Sequence, residues 1–112
     1  MKPDDRVRLH HIVDALNSTI RFTVGRRRED LDKDEILAFA LVHALQIVGE
    51  AASKISVETR DKHSQIPWAI IIGMRHRLVH AYFDINLDPV WTTGTEAAPA
   101  LLAQVKPLLD LD

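Results

Sequence analysis

Apolar residues recur along this chain at three- and four-residue intervals, and no run shows the strict alternation of a half-buried strand. Leu9, Val13, Leu16 and Ile20 share one face of a first helix from about Pro3 to Thr23, with Asp14, Asn17 and Arg21 elsewhere and Gly25 placed to end it. Asp32, followed three residues later by Glu35, resembles a capping box opening a second helix that runs to about Lys54. Asp34 and Glu35 there suit the positive end of the helix dipole. His43, Gln46, Glu50 and Ser53 form one narrow polar stripe on that helix, and nearly everything else on it is apolar. Such a helix needs partners on several sides, more than three other helices supply, which predicts a homodimer.

Residues Ile55 to Gln65 are polar and read as a loop. Pro67 suits the first turn of a third helix. Asp84 to Asp88 reads as a break, with Asp88 and Pro89 opening a fourth helix as N-cap and first-turn residues. Gly94 and Pro99 weaken or kink that helix before Leu101, Leu102, Val105, Leu108 and Leu109 resume the pattern. The expected fold is all-α, a four-helix bundle with a kinked or broken last helix, in one domain over residues 1–112.

Composition narrows the classes. With 46% hydrophobic and 27% charged residues the chain is globular rather than disordered. A net charge of −2 gives no overall field for nucleic acid. The distribution says more: from Gln65 to Phe83 there is no acidic residue, while Arg75, His76, Arg77 and His80 bring two fixed and two conditional positive charges. Without cysteine there are no disulfides or thiolate metal sites, and a reducing compartment fits. The N-terminus runs into charged residues with no apolar stretch behind it, so no signal peptide is expected. The run Trp68 to Ile72 is too short to span a bilayer, so the expectation is a soluble, cytoplasmic protein with no membrane partner.

The candidate chemistry is concentrated in the third helix. Trp68, Ile72, Arg75, Val79 and Tyr82 fall on one stripe, so Arg75 stands where a core residue is expected, and a buried charge is costly unless paired. Arg75 and His80, with Tyr82 beyond them, combine a permanent cation, an imidazole suited to proton transfer near neutral pH, and a phenol. Those groups suit RNA cleavage without a metal. The 2′-hydroxyl must lose a proton, the phosphorus gains negative charge, and the 5′-oxygen must gain a proton. Five residues on a regular helix place Arg75 and His80 about 140° apart. They share a pocket only if the helix ends near Leu78 or a second chain completes the site.

Ordinary readings stand beside this one. Arg75 fits equally as a core-edge arginine pairing with Glu50 or an interface carboxylate, His80 as a helix-end residue, and Tyr82 as a packed aromatic. His76 and His80 have metal-ligand spacing but no evident third ligand. His10, His11, His43 and His63 read as scattered surface or core-edge residues. Arg26-Arg27-Arg28, followed at once by Glu29 and Asp30, reads as a solvated turn, and Trp68 and Trp91 as core.

The pattern Arg75-x4-His80-x-Tyr82, within Ile66-Pro67-Trp68 and Leu78-Val79-His80-Ala81-Tyr82-Phe83, resembles the RX4HXY signature of HepT-like toxins in the HEPN ribonuclease superfamily. Ile47-Val48-Gly49-Glu50-Ala51-Ala52 and Leu87-Asp88-Pro89-Val90-Trp91 resemble that branch too, so the likeness runs from about Ile36 to Leu109. The resemblance implies a dimerising bundle, with the Arg and His of both copies lining a cleft, and an RNase toxin needing no cofactor. It also implies an MntA-like nucleotidyltransferase antitoxin that silences the toxin by transferring AMP to the motif tyrosine. Matched position by position, Arg75 becomes the phosphate-binding residue, His80 the general acid or base, and Tyr82 the AMP acceptor. His76 stands where that group usually has Asn or Asp; it can hydrogen-bond or share proton work but lacks a carboxylate's charge. A catalytically inactive HEPN module that binds and regulates a nucleotidyltransferase is the alternative.

Overall fold

The computed structural model describes residues 1–83 and 86–111, and among these it contains helices, turns and no strand. Helix α1 spans Pro3–Thr23, a short α2 Asp30–Lys33, α3 Glu35–Ser53, α4 Val57–Lys62 and α5 Trp68–Phe83. A C-terminal arm then runs through α6 (Asp88–Thr92), a π-helical turn (Thr93–Ala97), α7 (Ala98–Val105) and a 3₁₀ turn (Lys106–Asp110). Helix α3 packs between α1 and α5, and α1 also carries α7, giving an elongated bundle of 44 × 25 × 20 Å. The all-α expectation holds.

The apolar periodicity explains the core directly. Leu9, Ile12, Val13 and Leu16 of α1 meet Leu41, Leu45 and Val48 of α3, and Ile71, Met74 and Leu78 of α5 close the other side. Helix α3 is long and apolar enough to cross a bilayer by length and composition alone; 56% of it is buried inside the fold, where it acts as the central core helix. Gly25, at φ +72°, lets the chain leave α1 through the left-handed region, where a side chain would be strained.

Four expectations are corrected. The cap of α3 is Asp34, whose carboxylate accepts the Leu37 amide at 3.0 Å, and not Asp32. Asp32 sits within α2 and turns its carboxylate to Arg28 at 3.2 Å. The stretch 55–65 is not a plain loop, since it contains α4. Ser56 caps that helix by accepting from the Thr59 amide, while the buried Asp5 carboxylate accepts from the Ser56 amide (2.8 Å), the Ser56 hydroxyl (2.6 Å) and the Thr59 hydroxyl (2.6 Å). A polar helix this short has no apolar period to announce it. Burial pushes the Asp5 carboxyl up, but these hydrogen bonds and the nearby Lys2 charge outweigh it and hold its pKa below the ordinary value.

Third, Leu87 rather than Asp88 occupies the cap of α6; Asn86 accepts from the Asp88 amide at 3.3 Å, which leaves the Asp88 carboxylate free to hold Arg28 at 2.5 Å. Of the expected break at 84–88, Asp84 and Ile85 lie outside the described residues. The kink foreseen around Gly94 is the π-helical turn, which seats the Gly94 backbone against Leu41 of α3. Fourth, the buried face of α5 is Trp68, Ile71, Met74 and Leu78, one step round from the stripe that carries Arg75. That helix has apolar residues on both stripes, and the one facing α3 is buried. Arg75 is accordingly an exposed side chain, not a core charge.

Candidate functional site

Helix α5 runs unbroken past Leu78 to Phe83, which removes a helix end as a way of bringing Arg75 and His80 together. With about 100° per residue, His76 lies between them around the helix, and His80 lies about 40° beyond His76. The two imidazoles meet edge-on, with ring centroids 4.3 Å apart. Arg75 points the other way, toward α3, where its guanidinium faces Glu50 with 3.4 Å between Nη1 and Oε1. That pairing is the ordinary partner foreseen for Arg75. Both side chains are at least half exposed, 60% and 50%, so the pair is screened by water and easily exchanged for another anion.

Arg75 borders two openings. One, of about 270 Å³, is formed on α5 itself by Ile72, Arg75, His76 and Val79. The other, of about 360 Å³, lies across α1, α3 and α5 and is lined by Arg8, His11, His43, Gln46, Glu50, Lys54 and Arg75, with Ile47 and Ala51. Arg8 and His11 share a face of α1 by their three-residue spacing. Farther along the same side of α3, His43 and Gln46 also line a pocket of about 240 Å³ with Phe39, Val42, Val79, Tyr82 and Phe83. Tyr82 is half-buried there, its ring 4.9 Å from that of Phe39 and 5.9 Å from that of Phe83.

The structure thus brings Arg75 and Tyr82 to the edge of α5 nearest α3, and leaves His76 and His80 on the outward face. Sequence reasoning missed Arg8, His11, His43 and Lys54 as neighbours of Arg75. They come from α1 and α3, and no local spacing links them to the motif. The Arg26–Arg28 run is tied to carboxylates: Arg26 to Asp34 at 3.2 Å, and Arg28 to Asp32 and Asp88. Trp68 is core, its indole nitrogen donating to the His63 carbonyl at 3.0 Å. Among the described residues no group of three or more His, Asp or Glu side chains gathers as a metal site.

An all-helical bundle with exposed guanidinium and imidazole groups on one helix, bordered by a furrow lined by Arg8, Lys54 and Arg75, has side chains of the kind that can hold a phosphate. Comparison with known proteins makes the class specific. Residues 12–108 match the family described as Ribonuclease HepT-like. A protein of Caldanaerobacter subterraneus subsp. tengcongensis bearing the name "putative RNase" is 41% identical over 101 residues, covering 90% of each chain. The "probable ribonuclease HepT" of Thermococcus cleftensis is 33% identical, over 96% of this chain and 98% of its own. Another "putative RNase", from Methanocaldococcus jannaschii, is 30% identical over 94% of this chain and 96% of its own. No solved structure matches significantly. The chain belongs to the HepT-like ribonuclease family, and its enzyme class is that of a ribonuclease.

Proposed function

We propose that this protein is a metal-independent endoribonuclease toxin of a HepT/MntA-type pair, acting in the cytoplasm as a homodimer. Arg75 and His80 from the two copies line one cleft, with His76 in support. His80 withdraws the 2′-hydroxyl proton, the O2′–P bond forms as the P–O5′ bond breaks, and an imidazolium returns a proton to the leaving oxygen. Arg75 holds the phosphate oxygens as their charge grows. A nucleotidyltransferase antitoxin silences the enzyme by adenylylating the Tyr82 phenol.

The observation that carries this reading is the outward face of α5. His76 and His80 are exposed and the Arg75 side chain is 60% exposed, beside Ile70 at 60% and Phe83 at 76%. Ile36 of α3, outside both openings, is exposed too. Apolar groups of that size around charged ones are what a protein–protein contact uses. In one protomer Arg75 and His80 diverge, so a second copy is what brings an imidazole to the arginine. The test is cleavage of RNA by purified protein in EDTA: wild type is active, and Arg75→Ala and His80→Ala are inactive yet folded. A double variant as active as wild type would refute the assignment. One observation favours the alternative, an inactive module regulating a nucleotidyltransferase: Glu50 already occupies Arg75. Absence of any RNA cleavage by a dimer that binds the transferase tightly would select it.

A further inference from the structure

Two openings on the α3–α5 side share His43 and Gln46 and so form one furrow with unlike ends. At one end stand three fixed cations, Arg8, Lys54 and Arg75, with His11 and, as the one carboxylate among the described lining residues, Glu50. At the other stand Phe39, Tyr82 and Phe83. Helical rise separates Arg75 from Tyr82 by about 10 Å along α5, and Lys54 from Phe39 by about 22 Å along α3. The furrow is therefore long enough for more than one nucleotide.

We propose that this furrow is the subsite for single-stranded RNA flanking the cleaved linkage, with backbone phosphates at Arg8, Lys54 and Arg75 and a base stacked at Phe39 and Tyr82. This rests on the ribonuclease reading above. A cationic groove with aromatic rings at its end matches what single strands require: charge for the backbone and flat apolar faces for unpaired bases. His43 and Gln46, midway, offer a ring and an amide to base edges. A second copy laid into the same furrow would bury three fixed cations against a single carboxylate, which is costly. RNA brings its own anions. Glu50 then acts as a placeholder, neutralising Arg75 until a phosphate displaces it.

The experiment measures binding of a short labelled oligoribonucleotide across a salt series, in a His80→Ala background so that the probe survives. Arg8→Ala and Lys54→Ala each lower the salt slope by about one phosphate contact. Phe39→Ala weakens binding by about 5- to 150-fold, as loss of one stacked base does, with the slope unchanged; Phe39→Leu, which keeps bulk without the ring, behaves similarly. These residues are part-exposed or exposed, and thermal unfolding of each variant confirms the fold. Wild-type binding in all four variants overturns the subsite. So does a Phe39→Ala variant that turns from dimer to monomer with RNA affinity intact, which would assign the furrow to a second copy. The two readings fail separately: RNA held in the furrow but never cut sinks the nuclease, and RNA cut normally by furrow variants sinks the subsite.

Discussion

Gly49 of α3 rests directly on the backbone of α5 at Arg75: a methyl group added there would lie 3.3 Å from the Arg75 amide nitrogen and 3.1 Å from the Ile71 carbonyl oxygen. The crossing of the two helices is thus set by a residue with no side chain, one position before the carboxylate that meets the Arg75 guanidinium.

Gly49→Ala is expected to destabilise the protein. Forcing atoms into a filled crossing costs about 1–3 kcal/mol, more than the ~1 kcal/mol that alanine gains over glycine within a helix. The contacts are backbone atoms, which cannot rotate away. Chemical denaturation gives the sign, and a variant more stable than wild type would show that the helices separate freely.

Glu50→Gln removes the charge that faces Arg75. Because the pair is exposed, stability should change by no more than about 1 kcal/mol. RNA affinity should rise, since a phosphate no longer competes with a carboxylate. Weaker RNA binding in the variant would mean that Glu50 orients Arg75 rather than occupies it.

Arg75→Lys keeps the positive charge but loses the planar fork that grips two phosphate oxygens. Cleavage should fall about 100-fold or more, in the range of losing one transition-state donor. Single-turnover rates on a defined RNA decide it; near-wild-type rates would leave Arg75 as a simple charge.

Tyr82→Phe keeps the ring beside Phe39 and removes the acceptor oxygen. Incubated with the cognate nucleotidyltransferase and ATP, wild type should gain the mass of an adenylyl group and the variant should not. Equal modification of both would place the acceptor elsewhere. An AMP group on Tyr82 would lie in the furrow proposed for RNA and would block it by occupancy.

Acid should act through Asp5. Its folded pKa lies below the ordinary 3.8, so its contribution to stability is fully present above that value and is lost as pH falls through the folded one. Asp34, held down chiefly by the Leu37 amide, has the same sign. Asp5→Asn, which leaves buried hydroxyls and an amide imperfectly matched, should cost about 1–3 kcal/mol at neutral pH and flatten the acid limb. A denaturation series across pH tests both parts, and an unaltered acid limb would remove Asp5 from the account.

Much of the fold was legible because burial in a helical bundle follows the 3.6-residue period. Helix α1 was bounded correctly from Pro3 to Thr23, and α3 and α5 nearly so. Helix α4 escaped because its stability comes from a carboxylate 51 residues away in sequence, Asp5, and not from its own pattern. The placement of Arg75 in the core failed for a related reason. Helix α5 offers two apolar stripes, and only the position of α3, set by Gly49, decides which is buried.

For the site, the sequence alone determined that the segment from Arg75 to Tyr82 carries two guanidiniums, two imidazoles and a phenol and contains no acidic residue, because such chemistry is local. Tertiary structure alone decided that Arg75 turns to Glu50 while His80 turns outward, and that Arg8, His11, His43 and Lys54 join the arginine. Residues on separate helices become neighbours only when the core packs, and no spacing along the chain encodes the distance between them.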